Sequence, residues 1–229
     1  MRTNGKSIQV WVVRISAHKR DAWHSVLSDS ERERAARFRM PADQDRFTVT
    51  RGILKTLLAG YLHLPRAAIE FTANEHGKPA VSGANVQFNV SHSGDYALLA
   101  FAEDVDVGID VEKIAGDRVV GDLARRVLSA AEFERFNSLV ESEREKRFFQ
   151  IWTLKESLLK AIGSGLSVGP ERIEVAFYPA GPKLMSSAAT QIPDVDEWTL
   201  RTLAIGDDGY AAAIAVRERM PVIEIKHFA

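Results

Sequence analysis

The sequence predicts an α+β fold made of two pseudo-symmetric α/β halves, related by an internal duplication, with a ligand cleft at their interface. Three observations predict it. Strand-like and helix-like patterns alternate along all 229 residues, and the second half repeats the order of the first. The two segments richest in chemistry, one extended and one helical, both fall in the second half.

A shift of 101 positions places Val26-Leu27-Ser28 on Val127-Leu128-Ser129 and Glu31, Glu33 and Arg34 on Glu132, Glu134 and Arg135. The same shift, without a gap, sets Arg46-Phe47 on Arg147-Phe148 and Leu57-Leu58 on Leu158-Leu159. Duplicated halves pack about a pseudo-twofold axis, and the cleft between them is a natural ligand site. The junction is expected within Glu103–Asp106, giving halves of 1–104 and 105–229.

Residues Ile8–Ile15 are β-rich and open the first half as a strand. Ser28–Phe38 is a charged helix with Ser28 as N-cap. Asp43–Leu62 is a longer helix with apolar residues at Phe47, Ile53, Leu54, Leu57, Leu58 and Tyr61. Ile69–Ala73 and Val86–Val90 are short strands around the turn-rich Asn74–Pro79 segment. Tyr96–Ala102 is apolar on both faces, as a central strand is. In the second half a Ser129-capped helix precedes a long helix from Glu143 to Ile162, stopped by Gly163-Ser164-Gly165. Strands follow at Ile173–Phe177, Trp198–Ala204 and Tyr210–Val216, and Pro179–Pro193 is expected to be a mobile loop.

Composition excludes several classes. Hydrophobic content of 45% and charged content of 27% are ordinary for a globular chain, and the net charge of -1 exerts no pull on nucleic acid or an anionic membrane. The absence of cysteine removes disulfides, thiolate nucleophiles and thiolate metal sites together. The longest apolar runs, Tyr96–Ala102 and Tyr210–Val216, are far short of the ~20 residues that span a bilayer. Val10-Trp11-Val12-Val13 is too short for a secretion signal. A cytoplasmic protein without nucleic-acid or membrane partners is expected.

Two stretches carry the chemistry. In Val107-Gly108-Ile109-Asp110-Val111-Glu112-Lys113, alternation sends Val107, Ile109 and Val111 to one face and Gly108, Asp110 and Glu112 to the other. Asp110 and Glu112 therefore point the same way, beside a position with no side chain. In Trp152-Thr153-Leu154-Lys155-Glu156-Ser157-Leu158-Leu159-Lys160, Glu156 and Lys160 lie one helical turn apart on one face. Two convergent carboxylates beside a gap, with a third from a helix, are what a hard divalent cation bound to a phosphate ester needs. Taken singly, Asp110 and Glu112 also read as a solvated strand face, Glu156 and Lys160 as a surface pair, and His92 as a core histidine. Three carboxylates gathered without a cation would repel by about 4 kcal/mol per pair at about 4 Å and an effective dielectric of about 20. Competing motifs fail: Gly77-Lys78 lacks the other residues of a phosphate-binding loop, and no histidine pair has zincin spacing. Ser91 and His92 are adjacent and diverge on an extended segment.

Together the motifs resemble the signature of the 4′-phosphopantetheinyl transferases, in the Sfp-like class built as one chain of two pseudo-repeated halves. The strand pattern there reads (V/I)-G-(I/V)-D-(V/I)-E and the helix pattern W-x-x-K-E-(A/S)-x-x-K, and this chain matches both throughout. Gly77-Lys78-Pro79 and Phe88-Asn89-Val90-Ser91-His92-Ser93-Gly94 also stand in the family's order, so that the resemblance covers Arg46 to Leu166. It implies coenzyme A as co-substrate, Mg²⁺ (or Mn²⁺) as cofactor, and an apo acyl carrier protein or peptidyl or aryl carrier domain as partner, served by a monomer. By resemblance, Asp110, Glu112 and Glu156 hold the metal, Glu156 takes the serine proton and Lys160 steadies the pyrophosphate. Arg46, Ser91 and His92 bind phosphates of coenzyme A, Lys78 and Pro79 line its adenine end, and Lys155 shapes the same wall. Arg32, Arg34 and Arg37 are available for the 3′-phosphate. Two rivals are a Mg²⁺-dependent phosphoanhydride hydrolase, which needs no protein acceptor, and a non-catalytic carrier-binding module, which would lack one of the four motif residues.

Overall fold

The computed structural model describes residues 6–73, 78–116, 120–163, 168–187, 192 and 194–229. Four layers build it. Strands β1 (Ser7–Arg14), β4 (Val86–Ser93), β5 (Tyr96–Glu103) and β11 (Val222–His227) form one sheet in the order β11-β1-β5-β4. Strands β6 (Val107–Lys113), β9 (Thr199–Thr202) and β10 (Tyr210–Val216) form the other, in the order β6-β10-β9. The sheets face each other through alternate side chains: Ile8, Val10, Val12, Leu98 and Ala100 meet Val107, Ile109, Val111 and Ile214. On the outer faces lie two 22-residue helices, α3 (Pro41–Leu62) and α6 (Glu141–Ile162). Helix α3 covers Val13, Leu99 and Phe101 with Val49, Ile53 and Leu58, and α6 covers Ala213, Ala215 and Leu200 with Leu154 and Leu158. No helix among the described residues is long and apolar enough to cross a membrane.

The duplication is visible element by element. Short helices α2 (Asp29–Ala36) and α5 (Ala130–Asn137) each begin with a full capping box, Ser28 with Glu31 and Ser129 with Glu132. Hairpins β2–β3 (Phe71–Ala73, Pro79–Val81) and β7–β8 (Ile173–Tyr178, Gly181–Ser187) follow the long helices. The expected gap-free offset needs one correction. The capping boxes repeat at 101 residues, but the long helices repeat at 100, and both end in a left-handed residue, His63 (φ 52) and Gly163 (φ 73). The α5–α6 connection is one residue shorter than the α2–α3 connection, so Arg46 matches Lys146 rather than Arg147.

Several expected elements also change. Pro179–Pro193 is not a loop throughout, because Gly181–Ser187 is strand β8 and buries Leu184 in the second core. Residues 188–191 and 193 of that segment, like Ser164 and Gly165 of the expected helix stop, lie outside the described residues. Strand β4 runs on to Ser93, and the short helices α1 (Arg20–His24) and α4 (Gly121–Val127) are additional. Residues Val222–His227, beyond the expected boundary, return to pair in parallel with β1. The matching edge of β6 is covered by side chains of β4: Asn89 Oδ1 accepts from Ile109 N at 2.9 Å, Ser91 Oγ from Val111 N at 3.4 Å and Ser93 Oγ from Lys113 N at 3.1 Å. Alternate polar side chains thus stand in for a fourth strand and join the sheets.

Gly108 fixes the approach of α6 to β6. A Cβ there would lie 2.0 Å from Ser157 O and 2.4 Å from Ala161 N, both backbone atoms that cannot swing away. Gly108→Ala is therefore expected to destabilise the fold by at least about 1–3 kcal/mol through overpacking. Urea denaturation measures it, and a wild-type midpoint would contradict the packing described.

Candidate active site

The side-chain-free gap beside Asp110 is not open to a ligand, contrary to the sequence-based expectation; the backbone of α6 fills it. That contact lays Glu156 and Lys160 along the Asp110–Glu112 face of the strand. Lys160 Nζ donates to Asp110 Oδ1 at 2.6 Å and to Ser91 Oγ at 3.1 Å, and Ser91 Oγ itself donates to Asp110 Oδ1 at 2.7 Å. Glu156 and Lys160 are therefore part of a cluster spanning both sheets. Ser93 Oγ donates to Glu112 Oε2 at 2.9 Å, and the partly buried Trp152, stacked on Phe148, stands beside Glu112.

The cluster is electrostatically loaded. Burial raises the pKa of Glu156, and repulsion from Asp110 and Glu112 adds to it against the pull of Lys160. Burial likewise raises Glu112, with Asp110 adding to it, while Ser93, Trp152 and Lys160 oppose. Asp110 Oδ2 and Glu156 Oε1 are buried and have no hydrogen-bond partner. Orphaned carboxylate oxygens among carboxyls that repel one another fit a hard, oxygen-binding cation. As the side chains stand, no group of three acidic or histidine side chains among the described residues converges closely enough to hold one, and the positive charge at Asp110 is the Lys160 ammonium.

Ser91 and His92 diverge as expected. Ser91 is buried against Asp110, whereas His92 reaches solvent and lines a cavity of about 340 Å³ together with Arg34, Phe47, Thr50, Arg51 and Pro79. Although its edge is exposed, crowding of protein around the ring lowers the His92 pKa, and the cations Arg46 and Lys160 lower it further. A larger groove of about 980 Å³ shares Arg34, Phe47, Arg51 and Phe71 with this cavity. The Arg51 guanidinium lies 4.2 Å from the centre of the Phe71 ring, and that of Arg34 5.2 Å from Phe47. Sequence reasoning missed Arg51, although its place one helical turn after Phe47 put both on one face. Arg46 donates to Gly94 O at 3.1 Å and pairs with Asp43.

Two expected ligand contacts sit elsewhere. Lys78 Nζ donates to Ala161 O at 3.0 Å, tying the β2–β3 hairpin to the last turn of α6; burial lowers its pKa against the pull of Asp106. Gly77 of the same motif lies outside the described residues. Lys155 does not shape the cleft wall. It is fully buried, and its ammonium donates to Glu132, Val127 O and Pro170 O. Glu132 in turn accepts from Val175 N. One residue on from Lys155 the helix has turned by about 100°, so Glu156 faces β6 while Lys155 faces α4, α5 and β7.

Comparison with known proteins follows this division. A family model described as "4'-phosphopantetheinyl transferase, N-terminal" matches residues 14–104, and one described as "4'-phosphopantetheinyl transferase superfamily" matches residues 106–215. The 4'-phosphopantetheinyl transferase HetI of Nostoc sp. is 36% identical over 196 residues, covering 84% of this chain and 79% of that protein. The chain belongs to the 4′-phosphopantetheinyl transferase superfamily. This transferase is also similar to 4'-phosphopantetheinyl transferase Sfp of Bacillus subtilis, at 26% identity over 87% of this chain and 86% of the relative. The L-aminoadipate-semialdehyde dehydrogenase-phosphopantetheinyl transferase of Xenopus laevis is 29% identical over 84% of this chain and 68% of its own length.

The geometry predicts two outcomes for the transferase. Because the folded pKa of Glu156 is raised, the folded state holds a proton that the unfolded state releases between the ordinary and the raised value. Stability of the metal-free protein should fall as pH rises through that window. In Glu156→Gln the fall should be smaller, making the variant the more stable at neutral pH and no more stable below the ordinary glutamate range. Urea unfolding with chelator across pH reads both limbs. Lys155→Met, by contrast, strands the Glu132 charge in the core and should cost about 3–5 kcal/mol. The folded fraction should bind coenzyme A with unchanged affinity by calorimetry.

Proposed function

We propose that this transferase moves the 4′-phosphopantetheine group of coenzyme A onto a serine hydroxyl of an apo carrier protein, with Asp110, Glu112, Glu156 and Lys160 as its reacting centre. The observation that carries this reading is the meeting of two features at β4. The carboxylate–lysine cluster is bonded to Ser91 and Ser93, and a cationic cavity large enough for part of a nucleotide begins at His92. Coenzyme A has both a pyrophosphate for the first and a phosphorylated adenosine for the second. Asp110, Glu112 and Glu156 would hold a Mg²⁺ ion, or Mn²⁺ in its place. Such an ion supplies charge neutralisation and orientation of the pyrophosphate oxygens.

The chain's own groups supply the rest. The serine oxygen bonds to the phosphorus that bears pantetheine, and the bond from that phosphorus to the bridging oxygen breaks, releasing adenosine 3′,5′-bisphosphate. Glu156, carried by the helix that faces the Asp110–Glu112 strand, accepts the serine proton. Lys160 exchanges its bond to Asp110 for the pyrophosphate, where negative charge builds as the bisphosphate leaves. His92, Arg46 and the arginines of the cavity hold the remaining phosphates, with Pro79 at the adenine end. Such transfer rests on positioning and charge neutralisation more than on covalent help. The reading includes a monomer acting in the cytoplasm, divided at 104/105, on carriers of fatty-acid, polyketide or nonribosomal-peptide synthesis.

Mass spectrometry of a panel of apo-carriers incubated with enzyme, coenzyme A and Mg²⁺ tests the activity directly, through the gain of one phosphopantetheine group on serine. Two variants separate the roles. Glu156→Gln should lower kcat steeply with a modest effect on coenzyme A affinity, whereas Lys160→Ala should lower kcat and weaken coenzyme A as well. Unchanged kcat in both would remove this cluster from the reaction.

A further inference from the structure

The turn that joins β4 to β5 carries more of the site than its length suggests. His92, which lines the cavity, precedes it; Ser93 bonds Glu112; and Gly94 O accepts from Arg46. From the first half the turn is held at Asp95. The Asp95 carboxylate accepts from Ser16 N at 2.7 Å, Ser16 Oγ at 2.6 Å and Arg14 Nε at 3.1 Å, and Ile15 N donates to Asp95 O at 2.8 Å. From the second half it is held by a phenol. Asp95 N donates to Tyr210 Oη at 2.9 Å, across 115 residues of chain.

Tyr210 is set for this contact. It opens β10 opposite Lys113, the last residue of the carboxylate strand, so its side chain stands at the end of the strand that bears Asp110 and Glu112. Its ring meets that of Tyr96, the first residue of β5, edge to face with centroids 4.9 Å apart. The two tyrosines open corresponding strands of the two sheets and touch where the sheets come together. Gly94 has φ +55, and a Cβ there would lie 2.3 Å from Tyr210 Oη, so turn and phenol are already in contact.

We infer that Tyr210 is a positioning residue for coenzyme A: its hydroxyl holds the Ser93–Gly94–Asp95 turn so that His92 and Arg46 stand in register with the carboxylate strand of the other sheet. The inference rests on the transferase reading above. The turn is half-buried, so loosening it removes little packing, whereas the groups it aligns come from different sheets and have to meet one ligand. A role in the fold alone would appear as lost stability with unchanged ligand affinity, and a positioning role as lost affinity in a protein that stays folded.

Tyr210→Phe removes the one hydroxyl and keeps the ring. Coenzyme A is titrated calorimetrically with Mg²⁺ and no carrier, and exchange of the Asp95 amide is followed in parallel. Loss of one such hydrogen bond is expected to weaken coenzyme A roughly fivefold, with faster Asp95 exchange and an unfolding midpoint close to wild type. Gly94→Ala, which pushes a methyl group against the same oxygen, should weaken coenzyme A in wild type and do so less in the Tyr210→Phe background. Wild-type affinity in Tyr210→Phe, or additive effects of the two substitutions, overturns the positioning role alone, provided the wild-type protein binds coenzyme A and modifies a carrier. A wild-type protein that binds no coenzyme A overturns this inference and the transferase reading together.

Discussion

Everything at the candidate site depends on one backbone-to-backbone approach, that of α6 to β6 across Gly108. A strand advances about 6.8 Å over two residues and a helix about 6 Å over four, so the two run nearly in step over a short contact. Seating Ser157 and Ala161 on Gly108 therefore brings Lys160 and Glu156 to Asp110 and Trp152 to Glu112. The electrostatic strain follows from the same contact. Carboxylates that would separate in water are held together in a partly dry seam, and both Glu112 and Glu156 respond by holding protons more tightly.

Duplication supplies the frame, and divergence supplies the site. In the first half the buried pair of Glu31 with Lys55 opens onto the large groove and shares Glu31 with Arg51. In the second half the equivalent pair, Glu132 with Lys155, is closed off by Val127, Pro170 and Val175. One half keeps a cationic recess, and the other keeps a sealed core beneath a helix that bears reactive groups. By the face each side chain takes, Trp11 and Val13 of β1, packed toward α3, stand where Asp110 and Glu112 of β6 face α6, which confines the acidic pair to one half.

Much of this was legible in the sequence wherever the determinant was local. Alternation in Val107–Lys113 assigned both faces of β6, and Ser28 and Ser129 announced helices that the structure starts with full capping boxes. Lys155 was misread because neighbours in a motif are not neighbours in space: one step along a helix turns a side chain away from the face of the next. Gly108 was rightly picked out, but for an open gap rather than a close helix, since the sequence does not tell what a missing side chain makes room for. Arg51 and Ser93 went unnoticed because their partners, Glu31 and Phe71 for the one and Glu112 for the other, come from elsewhere in the chain, and Trp152, expected as core packing, also stands beside Glu112. Strand β11 and the short helices α1 and α4 carry too few residues for a periodic signal, and β11 is defined by an edge formed 215 residues earlier.

That last pairing bears on how the chain is made. Strand β1 leaves the ribosome early with one edge that only Val222–His227 completes, paired from Ser7 with Val222 to Val12 with His227. Until Val222–His227 has been made, the backbone groups along that edge have only water, a chaperone or another nascent chain to bond. Among the described strands, the sheet that is begun first, at β1, is also the one completed last, at β11. Vectorial synthesis therefore leaves this transferase, long before any carrier is met, with an interval in which an unpaired β1 can recruit the wrong strand.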